Sequence, residues 1–335
     1  MATRTTVAVD TMGGDHGPEP VVAGAVAAAR SSDLKVILVG PQSQLDHLLE
    51  VQKVRSDAVS VAAAEEWIAM EEEPVQAVRR KREASINVGL RLVKSGVADA
   101  FVSPGSTGAV MAGALFTLGR IRGYDRPAIA TTLPQRHGSV LLIDAGANLE
   151  VKPQQLLQFG IMGAAYVEHV MGRKEPRVGL LNVGSEESKG TEDLQDAYKL
   201  LRRSLLNFVG NVEPTDIPSG IVDVVVTDGF SGNVLLKTAE GTASYIVGEL
   251  RQLLTSRIHY KLAALVLQRG LRRMGAPLDY SAYGGAPLLG VNGVVIICHG
   301  RSSASAIGKA VEVAGAAASH SLVERLRELT RVKTG

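Results

Sequence analysis

Cysteine is nearly absent: Cys298 is the only one in 335 residues. This excludes an intrachain disulfide and fits a reducing cytosol. Aromatics are scarce, at 4% against 45% apolar residues overall. The core must therefore be built from Ala, Val, Leu and Ile, which suits tight packing of helices on a sheet. No sign of charge predominates, since 36 Lys and Arg face 34 Asp and Glu, a net +2; that balance argues against a nucleic-acid-binding protein. No apolar run follows the charged start MATRTTVAVD, so no signal peptide is expected. No stretch approaches the ~20 apolar residues that cross a bilayer. The expectation is a cytoplasmic protein whose membrane contact would have to be peripheral.

Several catalytic signatures are also missing. There is no Gly-x-Ser-x-Gly elbow of the hydrolases. No His-Glu-x-x-His or paired-cysteine spacing supports zinc, and no phosphate loop ends in Gly-Lys-Ser/Thr. The first strand is not followed by a good Gly-x-Gly-x-x-Gly, which weakens a nicotinamide reading. Cys298 sits in a Val-Ile-Ile-Cys run, the setting of a buried inert thiol, so a covalent acyl-cysteine is not expected.

What is present is alternation. Short β-branched runs at Thr5–Val9, Lys35–Val39, Ala98–Ser103, Ser139–Ile143, Arg177–Asn182, Val222–Thr227 and Gly293–Cys298 read as strands. Between them, helical spacing runs over Pro18–Arg30, Pro74–Lys94, Gly108–Gly119, Pro153–Gly172, Thr191–Phe208, Ser231–Leu250 and Ser303–Ala318. Strands separated by helices of this length imply βαβ units, hence a doubly wound α/β sheet covered on both faces. No linker, repeat or low-complexity tract interrupts residues 1–335, so one compact unit is expected. The segment at about 245–278 differs. From Arg251 to Leu278 it has no acidic residue, and Arg251, Arg257, Lys261, Arg269, Arg272 and Arg273 are basic. Leu254, Ile258, Leu262 and Leu265 fall on one helical face. A basic amphipathic protrusion is expected there, either a dimer-interface helix or an interfacial membrane anchor.

The strand ends carry the chemical signal. In open α/β sheets ligands bind beyond the carboxyl ends of the strands, where glycine allows close backbone approach and a following helix N-terminus offers free N–H groups to an anion. Six strand ends fit. The first runs from Asp10 through Gly13, Gly14, Asp15 and His16 to Pro18. The second is Ser103-Pro104-Gly105-Ser106-Thr107-Gly108, where Ser106 and Thr107 read equally as helix caps. The third spans Asp144 to Asn148. The fourth spans Asn182 to Gly190 and places Lys189 between acidic residues and a glycine. The fifth is Thr227 to Asn233, with Asp228 and Gly232; the sixth is Cys298 to Ser303, with His299, Gly300 and Ser302. An ordinary surface lysine is the default for Lys189, and turn or cap roles are the default for Asp10 and Asp15. Six such loops at one edge of one sheet would form an anion-binding cleft.

In this order the loops resemble the PlsX family of phosphate acyltransferases. The segments that carry the likeness are VAVDTMGGDHGP, SPGSTGAVMAGALF, IDAGANLEVKPQQLLQFGIMGAAY, VGLLNVGSEESKG, FVGNVEPTDIPSG, VVVTDGFSGNVLLKTAEG and HGRSSASAIGKAV. They cover nearly the whole chain, and DGFSGNVLLKTAEG and LLNVGSEESKG are the most specific. The sequence departs from the family pattern at Ser106 and Ser303, where Asn is expected, and at Pro104.

The resemblance implies a three-layer α/β/α fold with a largely parallel, mixed sheet, related to phosphate acetyltransferases and isocitrate-type dehydrogenases. It implies a homodimer that moves a fatty acyl group from acyl carrier protein to inorganic phosphate, with no organic cofactor and no obligatory metal. The acyl phosphate would pass to a membrane acyltransferase that acylates glycerol phosphate.

Phosphate is already anionic and a thiolate leaves readily, so no protein nucleophile is needed. Lys189 would compensate the charge on phosphate, and Asn233 and His16 would donate to phosphate or to the oxyanion. Asp10, Asp15 and Asp228 would orient those donors or act on a proton. Gly13, Gly14, Gly105, Ser106, Thr107, Gly108, Asn148, Gly232, His299, Gly300, Ser302 and Ser303 are expected to line the anion site. The rival readings are a coenzyme A-dependent phosphate acyltransferase, a dehydrogenase, and a non-catalytic membrane scaffold.

Overall fold

The computed structural model describes residues 4–54, 57–275 and 284–331, with 272–275 and 331 as backbone. The protrusion residues 276–278 and the side chains of Arg272 and Arg273 lie outside that description.

The strands are β1 Thr5–Asp10, β2 Leu34–Gly40, β3 Val59–Ala63, β4 Ala100–Ser103, β5 Ala128–Pro134 and β6 Ser139–Ile143. They continue with β7 Val178–Leu181, β8 Phe208–Val212, β9 Val224–Val226, β10 Ala286–Leu289 and β11 Val294–Ile297. The helices are α1 Pro18–Ser31, α2 Gln42–Val51, α3 Pro74–Arg80, α4 Ser85–Lys94, α5 Thr107–Thr117 and α6 Pro153–His169. The rest are α7 Glu192–Arg202, α8 Gly229–Ser256, α9 Ile258–Gly275, α10 Ala304–Ser319 and α11 Leu322–Arg331.

Each anticipated strand is present. Four others were not anticipated: β3, β5, β8 and β10. The helix expected over Pro74–Lys94 is two helices. Lys81 leaves helical geometry at φ −92°, ψ 72°. The Asn87 side chain then donates to the freed carbonyls of Val78 (2.9 Å) and Lys81 (2.8 Å). Such partners let a helix end inside the protein without orphaned acceptors. The helix expected over Thr191–Phe208 stops at Arg202, and Phe208 opens β8.

All strands join one sheet in the order β3-β2-β1-β4-β11-β10-β5-β6-β9-β7-β8. Strands β3, β2, β1, β4 and β11 are mutually parallel. So are β6, β9, β7 and β8. Between the two blocks every pairing, β11–β10, β10–β5 and β5–β6, is antiparallel. Three reversals leave the second block running opposite to the first. The expectation that all six loops share one edge is therefore corrected: loops one, two and six leave one edge, and loops three, four and five leave the other.

Helices cover both faces, as the fold class requires. Side chains of α1, α2, α6, α7, α10 and α11 join one continuous apolar cluster on one face. Those of α3, α4, α5 and the start of α8 cover the other. Ala-rich helices allow this close approach: a Cβ on Gly24 of α1 would lie 2.2 Å from the Ala304 carbonyl oxygen of α10.

The basic segment also departs from expectation. Arg257 is extended at φ −136°, ψ 153° and separates α8 from α9. Leu254 thus lies on one helix, and Ile258, Leu262 and Leu265 on the next, so the four do not form one continuous helical face. The last three are 73%, 59% and 67% exposed, and Arg257 and Lys261 are exposed beside them.

Candidate active site

Two buried aspartates tie the loops together, one in each block. Asp10 ends β1 and is fully buried. Its Oδ2 accepts from Ser103 Oγ at 2.7 Å and its Oδ1 from the Met12 amide at 3.0 Å. Burial pushes its carboxyl above the usual range, against those hydrogen bonds. Loop one is thereby fastened to loop two, and their backbones touch: a Cβ on Gly13 would lie 2.5 Å from Gly105 Cα. Loop six joins them through the Asp15 amide, which donates to the Gly300 carbonyl at 2.8 Å.

In the other block Asp144 follows β6 and is also fully buried. Its Oδ1 accepts from the amides of Ile129 (3.1 Å), Gly146 (3.1 Å) and Ala147 (3.0 Å). Its Oδ2 accepts from the amide and the side-chain nitrogen of Asn148, both at 2.8 Å. Burial raises this carboxyl as well, against the same donors. Loop three then meets loop five. The Gly229 amide donates to the Asn148 carbonyl at 2.7 Å, and a Cβ on Gly232 would lie 1.9 Å from the Asp144 carbonyl oxygen.

The two loop systems face each other across a cleft of about 370 Å³, within the range of small-molecule sites. It lies over the antiparallel seam, between α5 and α8. Thr107, the first residue of α5, and His299 reach it from the first block; Ala145, Gly146 and Asn233 reach it from the second. Loops that leave opposite edges meet here because the two blocks are staggered along the strands: Ile296 near the end of β11 pairs with Pro287, next to Leu288 on Ile129, and Ala130 pairs with Ile143 at the end of β6.

The electrostatics of the cleft come from the α5 N-terminus. Ser106 takes the N-cap position but its side chain makes no capping bond. The first-turn amides therefore have no side-chain cap and stand at the positive end of the helix dipole. The α8 N-terminus is different, because Asp228 Oδ1 accepts from the Ser231 amide at 2.7 Å. Lys237 also lines the cleft, paired with Glu240 at 2.8 Å. Cys298 borders the cleft, and burial pushes its thiol up to about 12, which leaves a protonated, poor nucleophile.

The sequence-predicted residues separate by position. Thr107, Asn233 and His299 line the cleft. Asp10 and Asp228 act on loops and helix ends and do not face it. Asn148 is buried, with its amide donating to Pro127 O and Asp144. Ser303 caps α10 through the Ala306 amide at 3.3 Å. Ser302 donates its amide to the His299 carbonyl at 2.9 Å. Gly108 packs on Pro74, 2.8 Å from a Cβ at that position; Gly14 and Gly300 close the first loop system.

His16 is exposed on that system outside the cleft lining, and Asp15 pairs with Arg301 at 3.6 Å. Lys189 is exposed, folded over Gly184, with its amide donating to Glu186 O at 3.1 Å. It stands on the loop-five edge, outside the cleft lining. Among the described residues no three His, Cys, Asp or Glu gather as a metal site requires.

Asp144, which opens the third loop, and the floor residue Thr131 were not among the expected site residues. The one signal for Asp144 was its place at a strand end before Ala-Gly-Ala-Asn.

Comparisons with known proteins agree on class. A family model described as fatty acid synthesis protein matches residues 5–325. A phosphate acyltransferase of Heliobacterium modesticaldum is 50% identical over 323 residues, 96% of each chain. One of Desulfitobacterium hafniense (strain DSM 10664 / DCB-2) is 48% identical over 323 residues, again 96% of each. Among solved structures, a phosphotransacetylase from Streptococcus pyogenes aligns over 96% of both chains with a TM-score of 0.65 at 19% identity. The EutD phosphotransacetylase from Staphylococcus aureus aligns over 94% of both with 0.64 at 18%. These two show a shared fold.

Proposed function

Because the chain belongs to the fatty acid synthesis protein family of phosphate acyltransferases, PlsX, we propose that its cleft transfers a long-chain acyl group from acyl carrier protein to inorganic phosphate. The observation that carries this reading is the uncapped α5 N-terminus, with Thr107 at the cleft wall opposite Asn233. Free amides at a helix N-terminus suit phosphate, and the neutral amide of Asn233 suits an oxyanion.

A phosphate oxygen attacks the thioester carbonyl. The C–O bond forms, the carbonyl electrons move onto oxygen, and collapse of the tetrahedral intermediate expels the carrier thiolate. The products are acyl phosphate and carrier thiol, the thiolate taking up the proton that hydrogen phosphate loses. The protein orients the two reactants, an effect worth roughly 7–11 kcal/mol at best, and compensates charge. Asp10 and Asp144 hold the loops that do this.

In this reading Lys189 supplies the compensating positive charge, from the exposed loop between β7 and α7. Lys189→Ala is expected to cut turnover more than tenfold and to leave the circular dichroism spectrum unchanged. Near-normal acyl phosphate formation by this variant would remove Lys189 from the reaction.

The donor is tested by incubating the protein with phosphate and either palmitoyl carrier protein or palmitoyl coenzyme A, with mass spectrometry of the product. Acyl phosphate formed preferentially from the carrier thioester supports the reading. Exclusive use of coenzyme A would select the rival acyltransferase, and no phosphate-dependent loss of thioester would select a scaffold. Of the basic patches available to an acidic carrier, Arg79–Arg82 is partly neutralised: Glu72 pairs with Lys81 at 2.6 Å and Arg80 at 3.3 Å.

No helix among the described residues is long and apolar enough to cross a membrane. We place the protein peripherally on anionic membranes through α9, with α8 and α9 also forming a homodimer contact, so that acyl phosphate is released near a membrane glycerol-phosphate acyltransferase. Exposed Ile258, Leu262 and Leu265 beside Arg257 and Lys261 support this, since each basic residue adds about 1 kcal/mol of attraction to anionic lipid. Ile258→Glu with Leu262→Glu is expected to abolish flotation with anionic vesicles. Unchanged flotation would refute the anchor.

A further inference from the structure

The two faces of the sheet are filled differently. On one, a single apolar cluster runs from β1 and β2 through to β7 and β9. On the cleft face the core is in two pieces. One contains Ile129 and Ile297, and the other Leu133 and Leu142. The break falls at Thr131, which points to the same side of β5 as Ile129 and Leu133 and lies opposite Leu142 in β6. Among the described residues, Leu236 of α8 alone packs partly buried against both pieces.

The gap left between them is the cleft itself. Its floor is Ile129, Thr131, Ala286 and Ile297, nearly all apolar, while its α5 end is polar. From β11 to β5 the floor crosses two strand spacings, roughly 10 Å. This floor, where Thr131 and Ala286 are partly exposed and Ile129 and Ile297 nearly covered, joins an uncapped helix end and so has the polarity of an amphiphile with its reactive head at one end.

We propose that this gap holds the proximal part of the substrate's acyl chain, laid across β11, β10 and β5, and that Leu236 stands where the chain leaves it and limits chain length. This rests on the acyl-transfer reading above. The carbonyl sits at the α5 end between Thr107 and Asn233. The methylenes cover Ile297, Ala286 and Ile129, completing the core that is interrupted on this face.

The test uses the full chain with saturating phosphate and two donors, octanoyl and palmitoyl carrier protein, and compares kcat/KM between them. Leu236→Trp is expected to lower the palmitoyl-to-octanoyl ratio at least tenfold, with KM for phosphate within twofold of the parent. Thr131→Val, nearly isosteric, removes the polar group of the floor and is expected to raise the ratio about threefold. An unchanged ratio in both variants, or equal loss with both donors, would overturn the subsite. The parent is measured first: if it consumes neither donor with phosphate, the acyl-transfer reading fails instead.

Discussion

Asp144→Ala is expected to lower the unfolding free energy by about 3–5 kcal/mol, at the top of the range for a single substitution. The carboxylate takes five hydrogen bonds, four from backbone amides and one from the Asn148 side chain. The charge is itself a cost, since burial raises the group above its ordinary 3.8. Removing it does not recover that cost, because each buried donor left unsatisfied carries its own penalty of about 1–3 kcal/mol.

Asn at this position is a revealing contrast. It keeps the shape and one acceptor oxygen, but its amide nitrogen would face donors, so most of the loss is expected to persist. Urea unfolding with an unchanged m-value measures both variants. A cost below about 1 kcal/mol for Asp144→Ala would mean that water or a shifted carbonyl replaces the acceptor. The expected loss extends to activity, because Ala145 and Gly146 form the cleft wall and the Asp144 carbonyl fixes the approach of Gly232.

The same aspartate shows what a sequence can and cannot disclose. A strand end followed by Ala-Gly-Ala-Asn is readable as a loop suited to close approach. Its partner set is not, because the Ile129 amide comes from a strand left unread. Of that strand, β5, and β10, only β10 is short, with four residues following Gly284 and Gly285, whereas β5 has seven residues that end on Pro134. Omitting the two removes every antiparallel pairing from the sheet, and the remaining strands then look uniformly parallel. The direction of half the sheet thus depends on its two least conspicuous strands.

The glycines were legible as positions that need space, but the space is filled by protein. Gly13 meets Gly105, Gly108 meets Pro74, and Gly232 meets the Asp144 carbonyl. Those contacts bring the loops together; the cleft arises from what they position. Thr107, Asn233 and His299 were recoverable because each stands in or just beyond a strand-to-helix turn. Thr131 was not, because nothing in ATTLP marks one threonine as the floor of a cleft.

Asn233→Ala is expected to reduce turnover by about 10²–10³, the usual loss of one oxyanion donor, or about 2.7–4 kcal/mol of barrier. The amide is exposed at the cleft, and the backbone that carries it is fixed. Asn233 lies in the second turn of α8, whose start is fixed by the Gly229 amide on Asn148 O at 2.7 Å and by the Gly232 contact with Asp144. Its side chain projects at the cleft beside Gly146, with Cγ 3.7 Å from where a Cβ on that glycine would stand. A donor carried on a fixed backbone needs less reorganisation than a free water when charge appears on the carbonyl oxygen. Because the interaction strengthens only as the oxyanion forms, kcat is expected to fall while KM for phosphate stays within threefold. Asn233→Asp is expected to fall further, since a carboxylate there repels both the oxyanion and the incoming phosphate. Turnover within threefold of the parent in Asn233→Ala would take the residue out of the transition state. A rise in KM for phosphate with kcat intact would move it to ground-state binding beside Thr107.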